Sequence, residues 1–195
     1  MKTERRPYRQ TARAAAAAAT RERILDVATG QFLQRFYDEV TLTGVAKDAG
    51  VSQQTLINHF GSKERLLQDV ADRLDPERFR REITDDPVEG VVADYEPAGD
   101  ATIRLLALEE RVPAVAPFLA RGRAGHRAWV EQAFAAQLPP EGDEAREQAV
   151  NLHVVATDIT TWKLLRRDMG LSRAETVDAM KTMVAALART TSSST

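Results

Sequence analysis

Residues 41–67 read TLTGVAKDAGVSQQTLINHFGSKERLL. The spacing predicts two short helices, a tight turn between them and the start of a third helix. Thr41 is placed to cap the first, because its hydroxyl can accept an amide N–H that the first turn leaves without a partner. Leu42, Val45 and Ala46 follow at i, i+3 and i+4, which makes one side of that helix apolar. Ala49-Gly50-Val51-Ser52 forms the turn, where Gly50 can take a positive φ that strains other residues. Ser52 caps the second helix, which runs from about Gln53 to His59. Leu56, Ile57 and Phe60 fall on its inner side, and Gln53, Gln54, Thr55, Asn58 and His59 on its outer side. Gly61-Ser62-Lys63 ends it and caps a third helix that begins KERLL.

One helix bracing another whose free face carries amides and hydroxyls is a helix-turn-helix layout. Gln and Asn side chains suit the adenine edge, and Thr offers a hydroxyl and a methyl. A polar surface helix alone is common; the turn chemistry, the caps and the lengths together are not.

The stretch VAKDAGVSQQTLINHFGSKERLL, preceded by TRERILDVATGQF at 20–32, resembles the DNA-binding domain of the TetR family of transcriptional regulators. The matching pieces are Val45-Ala46, Ala49-Gly50-Val51-Ser52, Thr55-Leu56-Ile57-Asn58-His59-Phe60 and Ser62-Lys63-Glu64-Arg65-Leu66. They follow in order without insertion and cover about the first third of the chain. Two positions depart from the family pattern. Ile57 stands where the family usually has Tyr, so a phosphate-contacting hydroxyl is missing, and Phe36 stands where a Gly usually ends the first helix.

A chain of 195 residues with 43% hydrophobic content is long enough for a packed core in one large or two small domains. Without cysteine, disulfides, thiol catalysis and cysteine-ligated zinc are excluded, and a reducing cytoplasm is an acceptable location. No apolar run approaches membrane-spanning length. The amino terminus, with Arg21-Glu22-Arg23 directly after a short alanine run, does not read as a signal peptide. The net charge of −2 is unevenly spread: residues 1–65 carry 11 Lys+Arg against 7 Asp+Glu, and residues 66–195 carry 16 against 22. A basic front on an acidic remainder suits a DNA-binding head on a body that does not touch DNA.

The chain divides by pattern into a basic, Ala-rich arm (1–19), a helix-turn-helix domain (20–66), a helical ligand-binding and dimerisation domain (67–189) and a frayed Ser/Thr tail (190–195). The arm, with Lys2, Arg5, Arg6, Arg9 and Arg13, reads as disordered in isolation, either a solubilising tail or a strand of charge within reach of DNA. Ala14 to Ala19 can extend the first helix backwards. That helix is expected from about Thr20 to Arg35, with Ile24, Leu25, Val27, Ala28 and Phe32 facing the core. The helix opened by Ser62 is expected to continue to about Glu82. The body reads as helices near 87–96, 99–111, 114–137, 143–168 and 172–189, so the fold class is all-α. Ser172-Arg173-Ala174-Glu175 is a capping box with Leu171 as its staple.

No enzyme constellation appears: no His-Glu-x-x-His, no phosphate loop and no Gly-x-Ser-x-Gly. His59, His126 and His153 lie far apart in sequence, and a lone helical histidine is more often a satisfied packing group than a ligand. No metal or cofactor is expected. The resemblance implies a small-molecule effector, of unknown identity, bound inside the body. Tyr95, Leu105, Leu108, Phe118, Trp129, Phe134, His153, Thr157 and Trp162 are the candidate lining, weighed against plain core packing at each position. Val150, Val154, Thr157, Thr161, Leu164 and Leu165 on one helix and Val177, Met180, Val184 and Leu187 on the next form apolar faces. Of these, Val154, Thr161, Leu165, Val177, Met180, Val184 and Leu187 are expected to pair with a second copy as a four-helix bundle.

The functional expectation is a homodimeric, ligand-responsive regulator, a repressor that reads a pseudo-palindrome in double-stranded DNA. Gln53, Gln54, Thr55 and Asn58 face bases; Thr41, Thr43, His59 and Lys63 hold phosphates. The alternative is a helical small-molecule-binding protein or bundle enzyme that does not read DNA. Salt separates the two, because only phosphate contacts make affinity for DNA fall steeply with ionic strength.

Overall fold

The computed structural model describes residues 5–73 and 83–192, with side chains over 12–73 and 83–189. Contacts divide the chain into two compact units, residues 1–73 and 74–195. Both are helical, and no strand occurs among the described residues.

The first unit holds α1 (Arg5–Gln34), α2 (Leu42–Asp48), α3 (Gln53–Phe60) and α4 (Lys63–Arg73). Ile24, Leu25, Ala28 and Phe32 of α1 are buried with Val45 and Ala46 of α2, Leu56 and Phe60 of α3, and Leu66, Leu67, Val70 and Ala71 of α4. These are the i, i+3, i+4 positions of each helix, so the periodicity alone accounts for the three-sided packing. Ion pairs tie the rim: Arg21 Nη2 lies 2.7 Å from Asp69, and Arg73 Nη2 lies 2.5 Å from Asp26. The expectation of an unstructured arm does not hold over its described part, since α1 is one continuous helix from Arg5. The run Ala14–Ala19 has the highest helix propensity available and carries the register backwards from the packed turns. The expected continuation of α4 to about Glu82 lies outside the described residues.

The second unit holds α5 (Pro87–Leu106), α6 (Ala116–Ala133), α7 (Glu144–Thr157), α8 (Ile159–Lys163) and α9 (Arg173–Ser192), with a π-helical turn at Leu164–Asp168 after α8. Its core joins Val88, Val91, Val92 and Tyr95 of α5 to Trp129 and Val130 of α6, Val150 and Ala156 of α7, Trp162 of α8, and Val177, Met180 and Val184 of α9. Two expectations are corrected here. Residues 87–106 form one helix with Pro97 inside it. The missing N–H of Pro97 costs about 3 kcal/mol, and burial of Tyr95 and Trp162 on that helix outweighs it. The expected helix 143–168 is interrupted at Asp158, whose backbone is extended (φ −68, ψ 153). The Asp158 carboxylate accepts from the Thr160 amide at 2.8 Å and so opens a new helix. The capping box is found as expected: the Ser172 amide donates to Glu175 Oε2 at 2.8 Å and the Glu175 amide to Ser172 Oγ at 3.2 Å. Gly170 before it takes φ +71.

Candidate nucleic-acid interface

The turn that presents α3 is built from local chemistry. Thr41 Oγ1 accepts from the Gly44 amide at 3.0 Å and starts α2. Gly50 sits at φ +65, which lets the Val51 amide return to the Ala46 carbonyl at 2.9 Å. Ser52 Oγ accepts from the Thr55 amide at 3.0 Å and starts α3. Gly61, at φ +77, ends α3. From the other side, Arg23 Nε donates to the Ala49 carbonyl at 2.9 Å and fixes the turn to α1.

With Leu56 and Phe60 buried, α3 turns Gln53, Gln54 and Asn58 outward. Two amide-bearing pairs hold this face in order: Thr43 Oγ1 donates to Gln53 Oε1 at 2.9 Å, and Gln54 Nε2 to Asn58 Oδ1 at 2.9 Å. Each leaves unused donor and acceptor capacity pointing away from the protein, as base-edge reading requires. Thr55 is half-buried, with its hydroxyl 2.8 Å from Ser52 Oγ. Among the four expected base readers it is the one turned toward its own helix cap. Thr41 accepts the cap bond through a lone pair, so its proton remains available to a phosphate oxygen.

Lys63 differs from its expected role. Its ammonium donates to the Tyr37 carbonyl at 2.5 Å and stands 3.9 Å over the Tyr37 ring. Burial, the largest influence, lowers the pKa of this ammonium, and the charges of Asp38 and Glu64 oppose the shift. The Tyr37 hydroxyl donates to Glu64 Oε1 at 2.9 Å. Lys63 thus braces the start of α4 against the 37–39 turn. Tyr37 was not among the sequence candidates; the only signal for it was an aromatic residue in an otherwise polar link. His59 is half-buried, with its ring centroid 6.3 Å from that of Phe60.

Residues 24–70 match the sequence profile of the bacterial regulatory proteins of the tetR family. The chain belongs to the TetR family. Of the curated relatives of this TetR-family chain, the HTH-type transcriptional regulator AlkX of Mycobacterium tuberculosis is 39% identical over 71 residues, which is 36% of this chain and 32% of that protein. The chain therefore matches about a third of that relative's length. Two solved structures share the fold. One is a protein of Mesorhizobium loti assigned to the TetR family, with a TM-score of 0.61 at 19% identity over 88% of this chain and 96% of that one. The other is a TetR-family transcriptional regulator from Streptomyces coelicolor, with a TM-score of 0.63 at 18% identity over 88% of this chain and 87% of that one. The family is one of regulators rather than enzymes.

The residues expected to line an effector pocket gather in the second unit of the TetR-family chain, but as packed core. Tyr95, Leu108, Phe118, Trp129, His153, Thr157 and Trp162 are all buried, and Leu105 is half-buried. The Tyr95 hydroxyl donates to the Thr157 carbonyl at 3.1 Å, and Thr157 Oγ1 lies 3.2 Å from His126 Nε2. His153 is fully buried; its Nδ1 lies 2.8 Å from the Ala149 carbonyl, while Nε2 finds no partner among the described residues. A cavity of about 410 Å³ lies elsewhere in the same unit, against Asp86, Val88, Phe134, Gln137, Lys181 and Val184. Of the expected lining only Phe134 borders it.

The expected dimer faces are also corrected. Val177, Met180 and Val184 are buried in the unit's own core, and Val154, Leu165 and Leu187 pack along its edge. Thr161 is half-buried and donates to the Val155 carbonyl at 2.6 Å. A 3–4–3 apolar spacing marks a face that is covered without saying by what, and here the chain's own helices cover it. The apolar side chains that α7 leaves outward are Leu152 and Val155, 44% and 63% exposed.

Proposed function

We propose that this protein is a DNA-binding transcriptional regulator that reads a pseudo-palindromic operator as a homodimer. The observation that carries the reading is α3 itself. It is a short helix held from behind by Leu56 and Phe60, capped at both ends, with Gln53, Gln54 and Asn58 outward in two ordered amide pairs. Bidentate amide contacts to adenine, or single contacts to neighbouring bases, follow when those internal pairs are exchanged for base edges. Thr41, Thr43 and His59 flank that face as phosphate partners, and Lys63 positions the frame. In a dimer the two α3 helices enter successive major grooves about 34–36 Å apart. Leu152 and Val155, the exposed apolar pair on α7, are the centre of the dimer contact.

The regulator acts as a repressor and is released by a small molecule bound in the second unit. The unsatisfied, fully buried Nε2 of His153, set among Phe134, Trp129 and Thr157, supports a site that gains a hydrogen-bond donor when an effector enters. A shift of a few kcal/mol between DNA-competent and released forms is enough for such control.

Selection of bound duplexes from a random library, with the full chain at moderate salt, tests the reading. Recovery of a two-fold-symmetric site is the expected result. Recovery of no sequence above background, with and without a pool of cell metabolites, would leave the alternative of a helical small-molecule-binding protein.

A further inference from the structure

We propose that the amino-terminal part of α1 is a rigid, arginine-bearing helix that docks on the phosphates of the duplex read by α3, and that it supplies most of the head's electrostatic attraction to DNA. This rests on the DNA-binding reading above.

The first observation is where the charge lies. Residues 20–73, which form the packed head, carry 7 Lys+Arg against 8 Asp+Glu, whereas residues 1–19 carry 5 against 1. The head's basic side chains are also largely engaged. Arg21 pairs with Asp69, Arg73 with Asp26 and Glu22, and Arg65 with Asp69; Arg23 is bonded to the Ala49 carbonyl and Lys63 to the Tyr37 carbonyl. A head with no surplus charge of its own offers little to a polyanion, and sequence-independent affinity for DNA comes from neutralised phosphates.

The second observation is the shape of the charged segment. α1 is continuous from Arg5, and Ala12 to Ala19 are exposed. The part from Arg5 to Thr20 therefore overhangs the packed turns by about 22 Å, at 1.5 Å per residue. Arg5, Arg9 and Arg13 recur every fourth residue and Arg6 stands three before Arg9. By helical register all four fall within about 100° of the circumference. Pro7 is within the first turn, where a missing N–H is tolerated.

The third observation is direction and polarity. At Arg21 and Arg23 the helix passes both ends of α3. Arg23 bonds Ala49 ahead of it, and the Arg21 guanidinium lies 4.9 Å over the ring of Phe60 at its end. The overhang thus leaves the head beside the reading helix. The first turn of α1 contains no acidic residue, so the positive end of its macrodipole adds to Arg5 and Arg6. Such a terminus is unfavourable alone and favourable against anions. A lipid surface fits less well, because an interfacial helix needs a face of large apolar side chains, and here the remaining positions are mainly alanine.

The test measures binding of the full chain to its selected site and to a random duplex across 50–300 mM salt. It is repeated with a variant carrying Arg5→Ala, Arg6→Ala, Arg9→Ala and Arg13→Ala, which preserves helix propensity. The variant is expected to bind both duplexes at least tenfold more weakly at 0.1 M salt, with the slope of log K against log salt shallower by about 2–4. Its preference for the selected site is expected to be unchanged. An unchanged slope overturns the proposal. So does loss of binding to anionic vesicles with DNA binding intact, which would assign the arginines to lipid. A second variant, Ala16→Pro, keeps every charge and breaks the rod between the arginines and the head; wild-type binding by it would overturn the rigid-helix claim. A full chain that binds no duplex at any salt overturns the DNA reading itself, and this proposal with it.

Discussion

A Cβ built on Gly99 would stand 2.5 Å from the ring of Trp162, closer than real Cβ contacts come. Trp162 is fully buried, its ring is 5.9 Å from that of Tyr95, and its Nε1–H donates to Glu96 at 3.2 Å. The indole therefore has nowhere to go. Gly99→Ala gains about 1 kcal/mol of helix propensity but overpacks the core at a cost of about 1–3 kcal/mol. The net expectation is a lower urea midpoint for the second unit. A midpoint at or above wild type would show that α5 shifts freely past α8.

Reading of bases and bracing of the frame separate by mutation. Gln54→Ala is expected to relax preference at one or two positions of the half-site, each by about 1–3 kcal/mol. Lys63→Ala is expected to leave base preference alone and to lower the stability of the first unit by about 1–2 kcal/mol, through loss of the Tyr37 carbonyl bond and the ring contact. Competition binding against point-mutated duplexes, beside thermal unfolding, distinguishes them. Altered base preference in the lysine variant would return Lys63 to the reading face.

These two residues also show what was legible beforehand. The helix-turn-helix could be read because Thr41, Gly50, Ser52 and Gly61 act on backbone within three or four residues of themselves. The partner of Lys63 is 26 residues away and could not be seen from spacing. In the second unit, Pro97 signalled a break that packing overrode, while Asp158 followed by Thr160 and Thr161 was a readable cap taken for helix interior. The apolar periodicity of Val177, Met180 and Val184 was real, but periodicity is blind to whether a face meets its own chain or another.

Acid should loosen the second unit through the pairs that clamp α5 to the π turn. Hydrogen bonds from Arg167, the largest influence, hold the Asp100 carboxyl below its ordinary value. At Glu96 burial is the largest influence and pushes upward, but bonds and charge from Arg166 and Trp162 outweigh it. A carboxyl with a depressed folded pKa contributes stability that is present above its unfolded value, about 4, and is lost as pH falls through the folded value. Asp100→Asn should therefore be less stable than wild type at pH 7, with the gap closing below about pH 4. Urea midpoints at several pH values measure this; a gap independent of pH would assign the effect to shape alone.

The buried imidazole of His153 predicts an unusual tolerance. Because its Nε2 is without a partner among the described residues, His153→Leu exchanges an unmet acceptor for apolar volume. It should change stability by no more than about 1 kcal/mol. His153→Ala should cost about 2 kcal/mol or more through the space it leaves. Thermal unfolding of both decides it; equal losses would mean that Nε2 is bonded in solution.

Self-association should depend on α7 rather than on the inner residues of α9. The pair Leu152→Glu and Val155→Glu is expected to give a monomer with unchanged helical content, measured by sedimentation equilibrium and circular dichroism. Met180→Ala, deep in the core, should cost about 2–5 kcal/mol of stability. A dimer surviving the double substitution would move the contact elsewhere.

The π turn at Leu164–Asp168, where the Met169 amide returns to the Leu164 carbonyl at 2.9 Å, winds five residues into each hydrogen-bonded loop instead of four. It behaves as a one-residue insertion absorbed into a helix. Shortening it by one residue would straighten the rod but rotate everything after it by about 100°. Arg166 and Arg167 could then no longer both reach Glu96 and Asp100. Chains of this lineage that differ by a single residue in length here should therefore have changed both arginines and both carboxylates together.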